Sequence, residues 1–240
     1  MSEVDTPLLF IRDLESHSEP YRDIKGYEMW GKMLNHITKR LFDFSCTLVG
    51  SVILSPVLLV IALLIWIDSG RPIFYRGVRS GLYGKPFRIF KFRTMVGNAE
   101  KIGGPSTALN DPRLTRLGKF LRKYKLDELP QLFNILKGEM SVIGPRPQVE
   151  QYVKRYSPEE QIILTVKPGL TDYASIKFIN LEQLLGDQDV DEKYIREIEP
   201  IKNELRVKYA KENSFFIDLK ILFMTIMQMF RIKSIWNIQS

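Results

Sequence analysis

Asp127 and Glu128 are adjacent carboxylates in the most basic part of this chain. From Arg71 to Arg93 there are seven Lys or Arg residues and no acid, and from Arg113 to Lys125 there are six more, again with no acid. Clustered cations suit an anionic substrate. An acidic pair among them suits a nucleophile, a general base or a Mg²⁺ ligand. An ionised carboxylate is competent to attack phosphorus, provided that cations neutralise the charge of a diphosphate, and Mg²⁺ with Arg and Lys would do so. Ordinary structural roles remain open for the same residues. Asp127 suits a helix N-cap, Glu128 a first-turn partner of the helix dipole, and Arg146 a surface ion pair.

The elements that would position these groups are legible in outline. Pro72-Ile73-Phe74-Tyr75 and Phe87 to Phe92 flank a Gly81-to-Gly84 turn, which predicts a small β-hairpin. Lys91 and Arg93 would share one face of its second strand. Val96 to Asp111 reads as a loop. Leu114, Leu117, Leu121 and Tyr124 recur at helical spacing. A further short helix should start near Asp127, with Pro130 in its first turn, Gly138 at its end, and Leu129, Leu132, Phe133 and Leu136 as its core stripe. Asp127 and Glu128 would then lie at a helix N-terminus with Arg122 and Lys123 nearby, which favours the ionised form of both. Pro147 biases Arg146 towards an extended backbone, and an arginine braced in this way holds phosphate oxygens bidentately. The charged stretch Asp191 to Asn213 reads as a solvated helical face.

Phe44 to Ile67 is 24 residues without a charge, beyond the ~18 that mark a membrane helix. It follows a polar stretch and lacks a cleavage site, so it is expected to stay in the mature protein. Ser55-Pro56 falls at its centre and predicts a kink. Each arm has twelve residues, roughly 18 Å of helix against a hydrocarbon core of about 30 Å. The flanks carry equal basic charge, four Lys or Arg within twenty residues on either side, so neither direction of insertion is favoured. A re-entrant hairpin and a kinked spanning helix both fit. Tyr27 to Arg40, with Trp30, suits an interfacial lead-in. Phe215 to Phe230 suits an interfacial helix or a buried core helix.

The chain has 240 residues, 45% apolar and 26% charged, with a net charge of +7. That allows one or two domains and favours acidic partners. The single cysteine, Cys46, excludes an intramolecular disulfide and reads as a buried, inert thiol. His17 and His36 suggest neither a catalytic triad nor a histidine metal site.

Four motifs in order carry a family resemblance: Lys91-Phe92-Arg93-Thr94-Met95, Asn110-Asp111-Pro112-Arg113, Leu126-Asp127-Glu128-Leu129-Pro130-Gln131 and Gly144-Pro145-Arg146-Pro147. The chain resembles the bacterial sugar transferases, the monotopic phosphoglycosyl transferases, from about Lys39 to about Phe230. The resemblance implies transfer of a sugar 1-phosphate from a UDP-sugar to polyprenyl phosphate, usually undecaprenyl phosphate. UMP would leave through a covalent aspartyl intermediate, and the reaction would start glycan assembly. It implies Asp127 as nucleophile and Glu128 beside it as a residue that helps hold Mg²⁺, with Asp127 a second candidate ligand. Lys91, Arg122 and Arg146 match basic residues of the family's site, and Arg93 joins them as a candidate phosphate-binding residue. A re-entrant helix broken at Ser55-Pro56 is implied as well.

The expected fold is α+β: a polar extension over 1–38, a re-entrant membrane hairpin over 39–70, and a catalytic domain over 71–240 with a small β-hairpin, short helices and interfacial amphipathic helices. The expected location is the cytoplasmic face of the bacterial inner membrane. Membrane lipid is a partner and nucleic acid is not; a homodimer stays open. Many relatives carry Gly-Trp-Ala-Gln where this chain has Asp172-Tyr173-Ala174-Ser175-Ile176, which leaves the sugar open. The alternatives are a non-enzymatic, membrane-anchored basic module for anionic lipid or nucleic acid, and a spanning phosphotransferase that works through a ternary complex.

Overall fold

The first described element is a helix, α1 (Gly26–Ser69), whose apolar window has a mean hydropathy of 2.8 with 11% of it buried. By length and composition it is able to cross a membrane. The computed structural model describes residues 26–97, 99–102, 107–108, 111–186 and 188–229. Two units divide the chain, Met1–Lys39 and Arg40–Ser240. In the first, residues 26–39 are helical; the polar extension before Gly26 and the side chain of Trp30 lie outside the described residues.

Helical geometry continues through Ser55 and Pro56, so the sharp break expected there is not part of this structure. The Ser55 hydroxyl donates to the Val52 carbonyl at 2.8 Å, a back-bond that favours bending. Cys46 is exposed on this helix, which corrects the expected buried thiol: a uniformly apolar helix with few protein neighbours turns its small residues outward too. Both ends of the apolar run are fastened to the rest of the second unit. At the first end, Arg40 donates to the Ile135 and Leu136 carbonyls at 2.7 and 2.9 Å, and Asp43 accepts the Val142 N–H at 3.0 Å. At the other, Ile61 and Ile65 pack with Phe92 and Leu121.

The predicted hairpin forms as two antiparallel pairs in one continuous register. Strands β1 (Phe74–Tyr75) and β4 (Lys91–Phe92) pair Phe74 with Phe92, and β2 (Val78–Ser80) and β3 (Pro86–Arg88) pair Val78 with Arg88. The turn passes through Tyr83 and Gly84 at positive φ. The expected loop after Val96 contains a helical turn, α2 (Ala99–Ile102).

Helix α3 (Arg116–Lys123) is capped by Thr115, whose hydroxyl accepts the Gly118 N–H at 2.9 Å. Leu121 is buried, but the helix stops before Tyr124, which is exposed rather than part of the stripe. A 3-10 segment, Leu126–Gln131, runs into α4 (Leu132–Lys137), which ends at Gly138 with φ 82°. Its fully buried residues are Asn134 and Ile135, not Phe133 and Leu136. Asn134 accepts the Phe90 N–H at 2.8 Å and donates to the Arg88 carbonyl at 3.0 Å and to Glu139 at 2.7 Å. The amide thereby ties the hairpin to the helix, and this tie rotates the helix away from its simple apolar stripe.

Beyond α4, β5 (Ser141–Ile143) pairs in parallel with β6 (Gly169–Thr171). A Cβ on Gly144 would meet the Lys167 carbonyl oxygen at 2.3 Å, and one on Gly169 would meet the Gly144 nitrogen at 2.1 Å. Two bare backbones therefore touch where the Arg146 loop begins. The short helices α5 (Glu150–Val153), α6 (Tyr173–Lys177), α7 (Leu181–Leu185) and α8 (Val190–Lys193) follow, then a π-helical turn, α9 (Glu199–Glu212) and α10 (Phe215–Met229).

The solvated-face reading of Asp191 to Asn213 does not hold for α9. Glu199, Lys202, Asn203 and Arg206 are buried on the face that also carries Tyr209. Helical spacing puts these charges on the same side as the core aromatic, and packing follows the aromatic. Helix α10 buries Asp218, Ile221 and Met224 while Phe216, Phe223 and Ile226 stay exposed. The buried Asp218 lies 2.7 Å from the Tyr209 hydroxyl.

Candidate active site

Asp127 and Glu128 occupy the first turn of the 3-10 segment and point into different environments. The residue that precedes the segment, Lys125, sits at φ 57° and supplies no capping side chain. Asp127 is one position inside the first turn, so the N-cap role allowed by local sequence is not its role here.

Glu128 is held by two cations from distant parts of the chain. Lys91, the first residue of β4, donates to Oε1 at 2.9 Å. Arg146 forks onto both carboxylate oxygens, with Nη1 2.8 Å from Oε2 and Nη2 in close contact with Oε1. Arg146 is fixed in turn by the Leu170 carbonyl at 3.1 Å. The bidentate fork is the strongest geometry for such a pair. The three side chains are 18–29% exposed, so solvent screens the trio only in part. Burial works against charge on Glu128, but Arg146 and Lys91 outweigh it and hold its carboxyl well below the usual range. Burial pulls the Lys91 ammonium down, and Glu128 pulls it back.

Asp127 is 5% exposed, and among the described residues nothing donates a hydrogen bond to its carboxylate. Burial, then the neighbouring charge of Glu128, push its carboxyl up; Lys91, Arg122 and Lys125 oppose that shift. Two adjacent carboxylates thus have their affinities for a proton driven apart, the usual sign of separate chemical roles. Glu128 is an anchored anion. Asp127 holds its proton more tightly than a free aspartate, which corrects the expectation that the ionised form is favoured at both positions, and its oxygens are committed to nothing else among the described residues.

Of the sequence-derived candidates, the structure brings together Lys91, Asp127, Glu128 and Arg146, with Arg122 in the last turn of α3 acting on Asp127 through its charge. Arg93 goes elsewhere. Strand β4 ends at Phe92, and the Arg93 guanidinium turns to the carbonyls of Ser69 and Gly70 at 2.5 and 2.9 Å. There it caps the C-terminus of α1, where a cation is favourable. Lys91 and Arg93 flank the buried Phe92 in the alternation of a strand face, and the Arg93 N–H bonds the Ile73 carbonyl at 2.9 Å, but its guanidinium is spent on the end of α1. In the second motif, Asp111 and Arg113 form a buried pair, with Nη2 to Oδ2 at 2.6 Å and Nε to Oδ1 at 2.9 Å. That pair folds the loop and does not face the carboxylates through any described bond.

Mg²⁺ binds through one or two carboxylates plus substrate phosphates. Among the described residues no group of three or more His, Cys, Asp or Glu could hold a metal. Asp127 fits the first requirement, having uncommitted oxygens. Glu128 would have to share oxygens already bonded to Lys91 and Arg146.

A family model described as bacterial sugar transferase matches residues 34–232. The chain belongs to the bacterial sugar transferase family. It is 38% identical over 190 residues to the uncharacterized sugar transferase EpsL of Bacillus subtilis, which covers 79% of this chain and 86% of the relative. It is 35% identical over 248 residues to the UDP-glucose:undecaprenyl-phosphate glucose-1-phosphate transferase of Klebsiella pneumoniae, covering 98% of this chain and 51% of that one. Against the undecaprenyl-phosphate galactose phosphotransferase of Salmonella typhimurium it is 38% identical over 175 residues, 67% of this chain and 35% of the relative. The sugar transferase thus spans about half or less of the length of these last two.

Sequence reasoning missed Asn134 and the buried charges of α9. Asn134 was visible as a polar residue within an apolar helix. Lys202 and Arg206 were visible as charges spaced to share a helical face with Tyr209.

Proposed function

We propose that this sugar transferase moves a sugar 1-phosphate from a UDP-sugar to polyprenyl phosphate through a covalent intermediate on Asp127. The observation that carries the reading is the divided pair: Glu128 locked by Lys91 and Arg146, Asp127 buried and uncommitted beside it. An Asp127 oxygen attacks the donor's β-phosphorus. The bond from that phosphorus to the bridging oxygen breaks, and UMP leaves with the electron pair. An oxygen of polyprenyl phosphate then attacks the same phosphorus, and the Asp127 carboxylate leaves unchanged. Splitting one transfer into two steps is the advantage of such a nucleophile. Lys91, Arg122 and Arg146 bind and orient phosphate oxygens. Mg²⁺, when bound, supplies further neutralisation of the diphosphate. The names of the relatives, which include glucose, galactose and N-acetylgalactosamine phosphate transferases, support the donor and acceptor classes and leave the sugar open.

The membrane reading is that α1 enters and leaves by the cytoplasmic face, bending at Ser55-Pro56 in lipid. What supports it is that the two ends of the apolar run are both fastened to the same charged body, through Arg40 and Asp43 at one end and Ile61 and Ile65 at the other. A straight span would place those ends on opposite faces. Cysteine tags at both chain ends should escape labelling from outside intact cells; labelling of one end only would sink the re-entrant path.

The test of the chemistry is enzyme mixed with a UDP-sugar panel and Mg²⁺ without acceptor. The matching donor should release close to one UMP per active site and leave the mass of a sugar phosphate on the protein. A strict need for acceptor before any UMP appears, in protein cleared of co-purified polyprenyl phosphate, would demote Asp127 to a base or a ligand.

A further inference from the structure

Lys202 is a buried lysine with an unusual set of neighbours. Its residue is 7% exposed, and among the described residues it makes no hydrogen bond or ion pair. Its ammonium lies over the rings of Tyr194 and Phe178, 5.1 and 5.5 Å from their centroids. The charges that act on it are Arg206 and Glu199 on its own helix, Arg146 from the loop after β5, Lys125 from the turn before Asp127, and Asp172 at the start of α6. Most of these are cations. Asp172 spends Oδ1 on the backbone N–H and hydroxyl of Ser175 at 2.6 Å each, while its Oδ2 is buried without a partner; Glu199, one turn before Lys202, is buried with Oε1 unpartnered and bonds to no described cation. Arg206 is bonded to Asn203 at 2.8 Å and keeps its Nε unpartnered.

A buried cation without a counter-ion is costly, and rings alone offset only part of that cost. Burial, followed by Arg206 and Arg146, pushes the Lys202 ammonium down to about 7. A protein meets such a cost cheaply when a ligand supplies the missing negative charge. The charges of Arg146 and Lys125 reach this lysine, and Asp172 lies two residues after Leu170, whose carbonyl holds Arg146 at 3.1 Å beside Glu128, so the ligand considered is one that occupies the site.

We propose that Lys202 is a further phosphate-binding residue of the site, an ammonium held in a Tyr194–Phe178 cage that takes an anionic oxygen of a phosphate-bearing substrate. It rests on the transfer reaction proposed above. The oxygen comes from the donor diphosphate or from the acceptor phosphate, and the two are separable by measurement.

The test uses the full chain in detergent or nanodiscs and the substitution Lys202→Met, which keeps length and apolar packing within the cage. Binding of UDP and of a short-chain prenyl phosphate is measured directly, alongside KM for donor and acceptor and the thermal midpoint. The expected result is at least tenfold weaker binding of one of the two, a matching rise in that substrate's KM, and a thermal midpoint that is unchanged or higher. Loss for UDP assigns the donor; loss for prenyl phosphate assigns the acceptor. If wild type binds and turns over while Lys202→Met matches it, the assignment of Lys202 is overturned and the transfer reaction stands. A binding loss accompanied by a lowered thermal midpoint also overturns it, in favour of a packing role. A wild-type protein that binds neither probe and releases no UMP overturns the transfer reaction and this assignment with it.

Discussion

Glu128 and Lys202 are both charged groups withdrawn from solvent that feel the charge of Arg146, and the fold treats them in opposite ways. Glu128 accepts from two cations through both of its oxygens. Lys202 has aromatic faces and more cations than acids around it. The difference separates charge used to build from charge held in reserve. Glu128 is satisfied before any ligand arrives and fixes Lys91 and Arg146 to the turn that bears Asp127. Asp127 and Lys202 are left wanting, one with free lone pairs and the other with free protons, which is the state of groups that act on something else.

The largest effect expected from breaking this division is at Asp127. Asp127→Asn keeps size and removes the charge proposed to attack phosphorus; turnover should fall at least a thousandfold, about 4 kcal/mol of barrier. The same change should stabilise the fold at neutral pH. A carboxyl whose folded pKa is raised contributes stability below its unfolded value near 3.8 and loses it as pH rises through the folded value. The neutral amide escapes that loss. Activity and thermal midpoint measured on one preparation check both signs, and near-normal UMP release would remove Asp127 from the chemistry. If Asp127 attacks as proposed, UMP release in wild type should fail on the acid side at a higher pH than a free aspartate would give, because the attacking form is the deprotonated one.

Glu128→Gln should move stability the other way. A carboxyl whose folded pKa is depressed contributes stability above its unfolded value near 4.5 and loses it as pH falls. Removing it also leaves Lys91 and Arg146 facing each other. We expect a loss of about 2 kcal/mol, less than for a fully buried pair because solvent reaches the trio, together with a severe drop in turnover. Denaturant melts and steady-state rates are the readouts; an unchanged melt would mean that the trio does not hold the turn.

Asn134→Ala sharpens the contrast from the structural side. It strands the Phe90 N–H and the Arg88 carbonyl, which should cost about 2 kcal/mol, with little loss of rate per folded molecule. A rate loss that exceeds the loss of folded protein would give Asn134 a part in positioning Lys91. The smallest effect is the pH dependence at Lys202. Its folded pKa of about 7 lies below the unfolded 10.5, so its cost to stability is full below 7 and fades as pH rises towards 10.5. Wild type should gain stability over that window relative to Lys202→Met. Parallel stability curves would mean that the lysine is solvated.

The sequence carried the local elements well where one signal dominated. The apolar run gave α1, the paired extended segments with their glycine turn gave the hairpin, and Gly138 marked the end of α4. It carried the acidic pair and three of its cations because their types and order are distinctive. It failed where a charged residue serves the interior. Lys202 and Arg206 look like surface charge in one dimension, and only the packing of Tyr209 against Ile143, 3.1 Å from hydroxyl to carbonyl, turns that face inward. The partners of Arg93 were illegible for a similar reason, because the carbonyls that claim its guanidinium belong to a helix that ended more than twenty residues earlier.

The fastening of the apolar run at both ends bears on how the enzyme meets bilayers of different thickness. A spanning helix whose hydrophobic length departs from the hydrocarbon core tilts, stretches or thins the lipid around it, at a cost that grows with each ångström. A run that returns to the leaflet it entered has no second boundary to match. On the re-entrant path proposed above, the depth of the run would be set on one side alone, by Arg40 and Asp43 at one end and the Ile61–Ile65 packing at the other. Turnover in nanodiscs of short-chain and long-chain phospholipid should then be nearly equal, where a spanning transferase would show an optimum.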